Sequence, residues 1–261
     1  MLALKLVSTG QWKLDEPLYK YWTDPDVVND HRHLKLTTRH ILTHQTGFDN
    51  WRWNNPSKKL TFNFDPGTKF KYSGEGFEYL KHALEHKFNM SLDRLADSIL
   101  FKPLHMYDTW YVWNDNIDTS RYAYPHDTID DTFGIPRNNK AFASDFLKTT
   151  IEDYCKFGTT FMNGKGLSED VYNDMIKPQS IVSKYESFGL GWDIMNDLSN
   201  GEYVLMHDGD DDGSHTIAIL LPLSKRGLVV FTNGEQGDEV IKKVIVESLE
   251  IGQEIVDKFD W

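Results

Sequence analysis

Apolar residues recur at helical spacing, three and four positions apart, in several segments of the chain. Six segments have this spacing: residues 2–10, 36–47, 73–88, 91–104, 144–164 and 240–259. Ser73 and Ser91 begin two of them and belong to the residue types that cap helices through a side-chain oxygen. Gly10 and Gly47 end two others, where glycine commonly stops a helix. The spacing therefore predicts six helices, the last of them one continuous amphipathic helix.

Extended structure is predicted towards the end of the chain, where β-branched residues cluster. Residues 202–207, 215–223 and 227–233 are strand candidates, and the Ser-Lys-Arg-Gly sequence at 224–227 joins the last two as a hairpin. Residues 105–140 are rich in Asp, Asn, Tyr and Trp without a period, which indicates an irregular segment. Helices, an irregular middle and consecutive strands predict an α+β fold, an antiparallel sheet covered by helices.

The composition narrows the classes of partner. The formal net charge of −12 argues against nucleic acid and against an anionic membrane surface, because both attract basic patches. The longest apolar run, residues 217–223, is far shorter than the ~20 residues of a membrane-spanning helix. Cys155 is the only cysteine, so no internal disulfide is possible. The first residues lack the features of a signal peptide, and the cellular compartment stays unknown.

An acidic segment, His-Asp-Gly-Asp-Asp-Asp-Gly-Ser-His at 207–215, raises the question of a calcium site. Asp208, Asp210, Asp212 and Gly213 fit the opening of a calcium-binding loop, in which alternate carboxylates converge on the ion. Such a loop places a glutamate at its twelfth position, which here is Ile219, and it lies between helices rather than strands. The sequence therefore favours another role for this segment.

A second metal hypothesis comes from the sequence His-Ala-Leu-Glu-His at 82–86, which matches the H-x-x-E-H pattern of some zinc proteases. On a helix His82 and His86 share one face, about 160–200° away from Leu84 and opposite the apolar stripe. That face is predicted to be a solvated surface, so a zinc metalloprotease is kept only as a third function hypothesis. Accordingly, no metal and no cofactor is predicted.

Three motifs that follow one another along the chain are more specific together than singly. Residues 42–47 read Leu-Thr-His-Gln-Thr-Gly, and residues 66–74 read Pro-Gly-Thr-Lys-Phe-Lys-Tyr-Ser-Gly. Residues 207–209 read His-Asp-Gly, and Thr-Asn-Gly follows at 232–234. In this order and spacing they resemble the serine β-lactamase and penicillin-binding protein family, on the branch of class C β-lactamases, DD-peptidases and related esterases. The resemblance extends from residue 1 to about residue 235.

The resemblance implies a β-lactamase/transpeptidase-like fold and hydrolysis through an acyl-serine ester. The expected substrate is a small molecule or peptide in a cleft, and the parent activity a peptidase, amidase or esterase. A single domain is expected over residues 1–261. Its helical and irregular lobe would cover about residues 30–185, and its sheet lobe about residues 186–261 together with the N-terminal helix.

The resemblance also implies which residues line the cleft. The expected catalytic residues are Tyr72, Ser73 and His207, with Tyr72 sharing in proton transfer to and from the serine. Such a tyrosine needs nearby cations, because its ordinary pKa is near ~10. His207 and the strand that begins near Ser214 would form the opposite wall, where backbone N–H groups stabilise an oxyanion. The expected substrate-binding residues are Gly74, Glu75, Asp208, Gly209 and Ser214.

The sequence departs from the family pattern at its most important point. No serine is followed by a lysine three positions later, so the S-x-x-K nucleophile segment is absent. Residues 1–10 resemble the end of the helix that this motif begins, so we expect the segment and the first strands of the sheet to be missing. Gly74 replaces the asparagine of the family's Y-x-N motif, and Asp208 introduces a carboxylate that would repel an acidic substrate.

These departures lead to two function hypotheses within one fold. The first is a serine hydrolase that is inactive as given because its nucleophile is absent. The alternative is a non-catalytic ligand-binding pseudo-enzyme. In either case, missing strands would leave a sheet edge exposed, and self-association through that edge is expected.

Overall fold

The computed structural model describes residues 1–129 and 131–259. Its helices are, in chain order, α1 (Leu2–Ser8), α2 (Thr38–Leu42), α3 (Gly74–Phe88), α4 (Leu92–Ala96), α5 (Ile151–Met162), α6 (Glu169–Met175), α7 (Gly237–Ser248) and α8 (Gly252–Lys258). A π-helical segment at Asp97–Phe101 continues α4. Helix α6 was not predicted, and the predicted segments are longer than several of the helices within them. Ser91 precedes α4, but its side chain makes no capping hydrogen bond, contrary to the prediction.

The prediction of one continuous C-terminal helix is wrong. Helix α7 ends at Ser248, Leu249 has extended backbone angles, and α8 begins at Gly252. A Cβ atom on Gly252 would lie 2.2 Å from the carbonyl oxygen of Ile245. Because only glycine allows so close an approach, the chain turns back over α7 instead of continuing it.

The sheet confirms the predicted antiparallel architecture. Its strands are β1 (Ser180–Ile181), β2 (Glu186–Phe188), β3 (Asp193–Met195), β4 (Val204–Asp211), β5 (Ser214–Leu221) and β6 (Arg226–Thr232). All neighbours are antiparallel and follow chain order. Strands β4 to β6 were predicted, whereas the short strands β1 to β3 were not. Strand β4 also continues four residues past its predicted end at His207, because Asp208 to Asp211 pair with β5.

Apolar residues cover both faces of the sheet. Leu205 and Leu220 belong to a large core that includes residues of α1 to α6. Met206 and Ile219 point to the opposite face, where they pack in a second core with residues of α7 and α8. The apolar run of β5 is therefore a central strand buried on both sides. Within the described residues, no helix is long and apolar enough to cross a membrane.

One edge of the sheet is open and largely apolar. Strand β6 pairs with β5, and no other described segment forms backbone hydrogen bonds with residues 226–232. Its residues from Leu228 to Thr232 are all partly exposed. A row of free backbone groups beside apolar side chains is suited to pairing with another strand.

The segment 105–140 is irregular in its described part, as predicted. It contains a 3-10 turn at Thr119–Arg121 and isolated bridges, including one between His126 and Gly234. That bridge places the irregular segment beside the end of β6, near the hairpin that joins β4 and β5. At Gly213 in this hairpin, a Cβ atom would lie 2.6 Å from the carbonyl oxygen of His126. The long excursion is thus packed against the end of the sheet.

Candidate active site

The second half of β4 forms an open strand edge. Strand β3 pairs with β4 only at residues 204–206, whereas β5 pairs with it as far as Asp211. Residues 207–211 therefore have a strand on one side, and all five are exposed. Backbone N–H and C=O groups on the other side are open to a ligand that adds as a strand. His207, Asp208 and Gly209, which sequence reasoning assigned to the site, begin this edge.

Gly209 and His207 have specific local surroundings. A Cβ atom on Gly209 would lie 2.8 Å from Thr216 Oγ1, so a larger residue would disturb the contact between β4 and β5. His207 Nδ1 lies 2.8 Å from the carbonyl oxygen of Asp208 and therefore donates its hydrogen there. In a neutral His207, Nε2 is then left as an acceptor. The ring also packs edge-on against Trp192, with centroids 6.4 Å apart.

Tyr72, which precedes α3, lies near enough to this edge for the charge of Asp208 to act on it. Its ring is stacked on His44, with centroids 4.3 Å apart, and the residue is 51% exposed. Partial desolvation and the negative charge of Asp208 both raise the pKa of Tyr72. A phenolate base needs the opposite environment, one with cations. In this chain Tyr72 is therefore a neutral hydrogen-bonding group at neutral pH.

His44 is a site residue to which sequence reasoning gave no role. It is 3% exposed and has a positive φ of 51°, an uncommon conformation for a residue other than glycine. Its Nδ1 accepts a hydrogen bond of 3.1 Å from the backbone N–H of Ser73. Burial and the nearby charge of His207 lower the pKa of His44 to about 3, so its ring is neutral. His44 thus fixes both the ring of Tyr72 and the backbone that follows it.

Ser73 has a structural hydrogen-bond pattern. Its Oγ accepts from the N–H of Gly76 at 3.1 Å, which confirms the predicted cap of α3, and donates to the carbonyl oxygen of Asp49 at 2.8 Å. The side chain is buried. Both hydrogen-bonding capacities of the hydroxyl are therefore engaged by the backbone, and a catalytic role for Ser73 stays a prediction.

Of the remaining predicted site residues, Glu75 and Gly74 are hydrogen-bonded to other protein groups, and Ser214 lies far from His207. Both oxygens of the buried Glu75 carboxylate accept from the guanidinium of Arg52, at 3.0 and 2.9 Å. A substrate contact through Glu75 would have to break that pair. The N–H of Gly74 donates to Asn50 Oδ1 at 2.8 Å. Ser214 lies four residues along β5 from Ala218, the partner of His207, which corresponds to about 13 Å. Their roles in substrate binding stay predictions.

Two acidic residues that sequence reasoning missed lie beside the open edge. Asp193 is partly buried, and its Oδ1 has no hydrogen-bond partner among the described residues. Burial, followed by the negative charges of Glu186 and Asp208, raises the pKa of Asp193 to about 7. Glu186 is buried on the neighbouring strand β2. Strands of two and three residues gave no sequence signal that could place these carboxylates near Asp208.

The two metal hypotheses can be compared with the structure. Trp22 packs against both His82 and His86, with ring centroids 4.7 and 6.4 Å apart. The helix face that was predicted to be solvated is thus partly covered by an indole ring. Over residues 1–129 and 131–259, no three His, Cys, Asp or Glu side chains are grouped so that they could hold a metal ion.

A surface cavity of about 670 Å³ lies away from the cleft. It is lined by residues of the segment 12–20 and of α6, including Trp12, Asp15 and Asp174. None of the motif residues at 42–47, 66–74 or 207–209 lines it. A second cavity, of about 110 Å³, is lined by Asp208 and Gly209 together with residues of α7.

Solved structures with the same fold come from the penicillin-binding proteins and β-lactamases. A penicillin-binding protein from Bacillus halodurans is 19% identical, and the match covers 94% of this chain and 82% of that one with a TM-score of 0.78. A class C β-lactamase is 16% identical over 95% of this chain and 78% of that one, with a TM-score of 0.75.

The octameric penicillin-binding protein homologue from Pyrococcus abyssi is 20% identical, with a TM-score of 0.73. That match covers 90% of this chain but only 59% of the other, so the chain spans less than two thirds of that relative. The sequence model of the Beta-lactamase family matches residues 1–248. The motifs, the fold and this match agree, and the chain belongs to the Beta-lactamase family.

Proposed function

We propose that this chain belongs to an acyl-serine hydrolase whose cleft binds an amide, peptide or ester, and that residues 1–261 alone form no acyl-enzyme. The observation that carries the proposal is the open edge at residues 207–211, with Tyr72 near enough for the charge of Asp208 to raise its pKa. One wall offers backbone hydrogen-bonding groups for an acyl carbonyl, and the other offers a phenol that can donate a hydrogen bond. Such a pair of walls suits recognition of an acyl group.

The lack of an acyl-enzyme follows from the serines of the chain. None is followed by a lysine three positions later. Ser73, the serine beside Tyr72, has both hydrogen-bonding capacities of its hydroxyl engaged by backbone groups. A serine hydroxyl needs a neighbouring base to become a nucleophile, and the neutral, high-pKa Tyr72 does not supply one.

The test is incubation of the purified chain with a fluorescent penicillin and with a fluorophosphonate serine probe, followed by intact mass spectrometry. No stoichiometric adduct is expected with either reagent. An adduct would contradict the proposal, and its loss in Ser73→Ala would identify Ser73 as the nucleophile. Binding of the penicillin without an adduct would appear as shifted NMR resonances of Trp192 or His207. Both the hydrolase and the alternative, a ligand-binding pseudo-enzyme, predict this result. DNA upstream of the first codon that encodes an in-frame S-x-x-K sequence would favour the hydrolase.

We also propose that the chain associates with itself through β6. The support is the row of free backbone groups on Arg226–Thr232 and the partly exposed apolar side chains beside it. In an antiparallel pair of two β6 strands, the start of one strand lies beside the end of the other. Lys225 and Arg226 of one copy would then lie near Glu235 of the second copy. The pairing therefore brings opposite charges together at both ends.

A further inference from the structure

Asp49 and Asn50 lie directly beside the start of α3. The hydroxyl of Ser73 donates to the carbonyl oxygen of Asp49 at 2.8 Å. The N–H groups of Gly74 and Glu75 both donate to Asn50, the first to Oδ1 at 2.8 Å and the second to the carbonyl oxygen at 2.9 Å. These hydrogen bonds satisfy free N–H groups of the first helical turn and fix Asn50 against it.

The amide nitrogen of Asn50 is left open to a ligand. Because Oδ1 accepts from the N–H of Gly74, the orientation of the amide is settled and Nδ2 is its donor end. In the part of the chain that the structure describes, no group accepts a hydrogen bond from Nδ2. Asn50 is partly exposed, and Nδ2 does not belong to the buried polar atoms that lack a partner, so solvent reaches it. An amide held by its oxygen and open at its nitrogen is suited to a carbonyl acceptor.

Gly74 allows Asn50 and Trp51 to approach the helix this closely. A Cβ atom at position 74 would lie 3.0 Å from Trp51 Cη2 and 3.3 Å from Asn50 Oδ1. Both distances are shorter than ordinary contacts between carbon atoms, which are about 3.5–4.0 Å. Residues of another segment therefore occupy the space that a side chain at position 74 would take, and the polar group that they place there is the amide of Asn50.

The indole rings that follow Asn50 form a fixed apolar surface. Arg52 holds them in place, because its backbone N–H donates to Glu75 Oε1 at 3.0 Å and its guanidinium to Glu75 Oε2 at 2.9 Å. Trp51 and Trp53 stack on each other with centroids 4.7 Å apart and ring planes at 10°. Trp53 is 55% exposed. The surface next to the amide is therefore suited to the apolar part of a ligand.

We propose that Asn50 is a binding residue of the cleft and that its Nδ2 donates to a carbonyl in the acyl substituent of the ligand. Gly74, to which Asn50 is bonded, follows Tyr72 by two positions, which brings the amide to the cleft. The inference rests on the proposed function, in which the edge at residues 207–211 contacts the reacting carbonyl. The edge and Asn50 belong to separate elements, so they contact two different carbonyl groups. The ligand class is therefore an N-acylated amino-acid amide or ester with an apolar acyl group.

The test compares two neutral probes, N-phenylacetylglycinamide and 2-(2-phenylethoxy)acetamide. Both have a phenyl ring and a terminal carboxamide, but the second has an ether in place of the inner amide. Binding is followed by NMR through the side-chain amide of Asn50 and the ring of Tyr72. We expect the amide probe to bind about tenfold more tightly than the ether. Only the amide probe should shift the Nδ2 resonances of Asn50, a result that tests the contact without any variant.

The matched variants are Asn50→Asp and Asn54→Asp. An aspartate at position 50 keeps an oxygen for the N–H of Gly74 but loses the donor, so the chain should stay folded. Its preference for the amide probe, measured at Tyr72, should fall to within about twofold. Asn54 is an exposed residue of the same segment, and the same change of charge there should leave the preference unchanged.

Three results would contradict the inference. A purely structural Asn50 would leave the tenfold preference intact in Asn50→Asp, and the inference would then be wrong. Equal binding of the two probes to the wild-type chain, detected at Tyr72, would also overturn it and leave the proposed function standing. If neither probe shifts the resonances of Tyr72, both the inference and the proposed binding cleft are wrong.

Discussion

Asp193 gives the stability of the folded protein a measurable dependence on pH. Its pKa is raised from the ordinary 3.8 to about 7 by burial and by Glu186 and Asp208. Because the folded protein holds this proton more tightly than the unfolded chain, folding is favoured by protonation of Asp193. Its unfavourable contribution is absent below about pH 4, grows as pH rises and is complete above about pH 7. Asp193→Asn removes the charge and should therefore stabilise the protein only at the higher pH.

The size of the effect follows from the same pKa. At about 1.4 kcal/mol for each pH unit, the interval from 3.8 to about 7 corresponds to an upper limit of about 4 kcal/mol. The carboxylate is only partly buried, and solvent screening reduces this to about 2 kcal/mol. We expect Asp193→Asn to increase the free energy of unfolding by about that amount at pH ~8, and to change it little at pH ~4.

The assay is urea denaturation of the wild-type chain and the variant across this pH range, with Asp212→Asn as the control. Asp212 is an exposed turn residue followed by Gly213, and Asn-Gly suits such a hairpin turn as well as Asp-Gly. The difference in free energy of unfolding between Asp212→Asn and the wild type should therefore be the same at every pH. A stability difference for Asp193→Asn that is the same at both pH values, or larger at the acid end, would refute the reasoning.

Three further predictions concern the frame of the cleft. Ser73→Ala should lower the free energy of unfolding by about 1–2 kcal/mol in urea denaturation, because it removes the cap of α3. The control Ser91→Ala removes no capping hydrogen bond and should change the free energy of unfolding by less than about 0.5 kcal/mol. Equal losses in the two variants would count against the capping argument. Glu75→Gln should cost about 1–3 kcal/mol in the same assay, because it weakens a buried ion pair with Arg52; an unchanged midpoint would mean that the pair contributes nothing. Val229→Lys should abolish any concentration-dependent association in sedimentation velocity, because it places a charge on the β6 edge. The chain should stay folded, since Val229 belongs to neither core. Association that persists would exclude β6 as the interface.

The parts of the fold that were predicted correctly have a strong local signal. Strands β4 to β6 and the hairpin between β5 and β6 follow from apolar runs separated by turn residues. The cap at Ser73 follows from a residue type that satisfies a free backbone N–H at a helix start. The motif order was informative because it combined three weak local patterns, and the family match over residues 1–248 confirms it.

The parts that were missed depend on contacts between distant segments. The break before Gly252 exists because that glycine lies against Ile245, which no helical period reveals. Strands β1 to β3 have two or three residues each and are too short to show alternation. Asp193 lies near the open edge only because β3 brings it beside β4, and its raised pKa depends on burial and on Glu186 from a third strand. His44 was part of a recognised motif, but its stacking on Tyr72 is a tertiary contact.

The acidic hairpin has a consequence for aggregation. Residues 207–211 form an unpaired strand edge, and such edges readily template the growth of intermolecular sheets. Four of the five positions from 208 to 212 are aspartates, whose mutual repulsion would prevent two copies from pairing along this edge. Strand β6, the opposite end of the sheet, has no acidic residue between Arg226 and Thr232. These carboxylates therefore leave the edge at residues 207–211 accessible to a ligand and closed to a second copy.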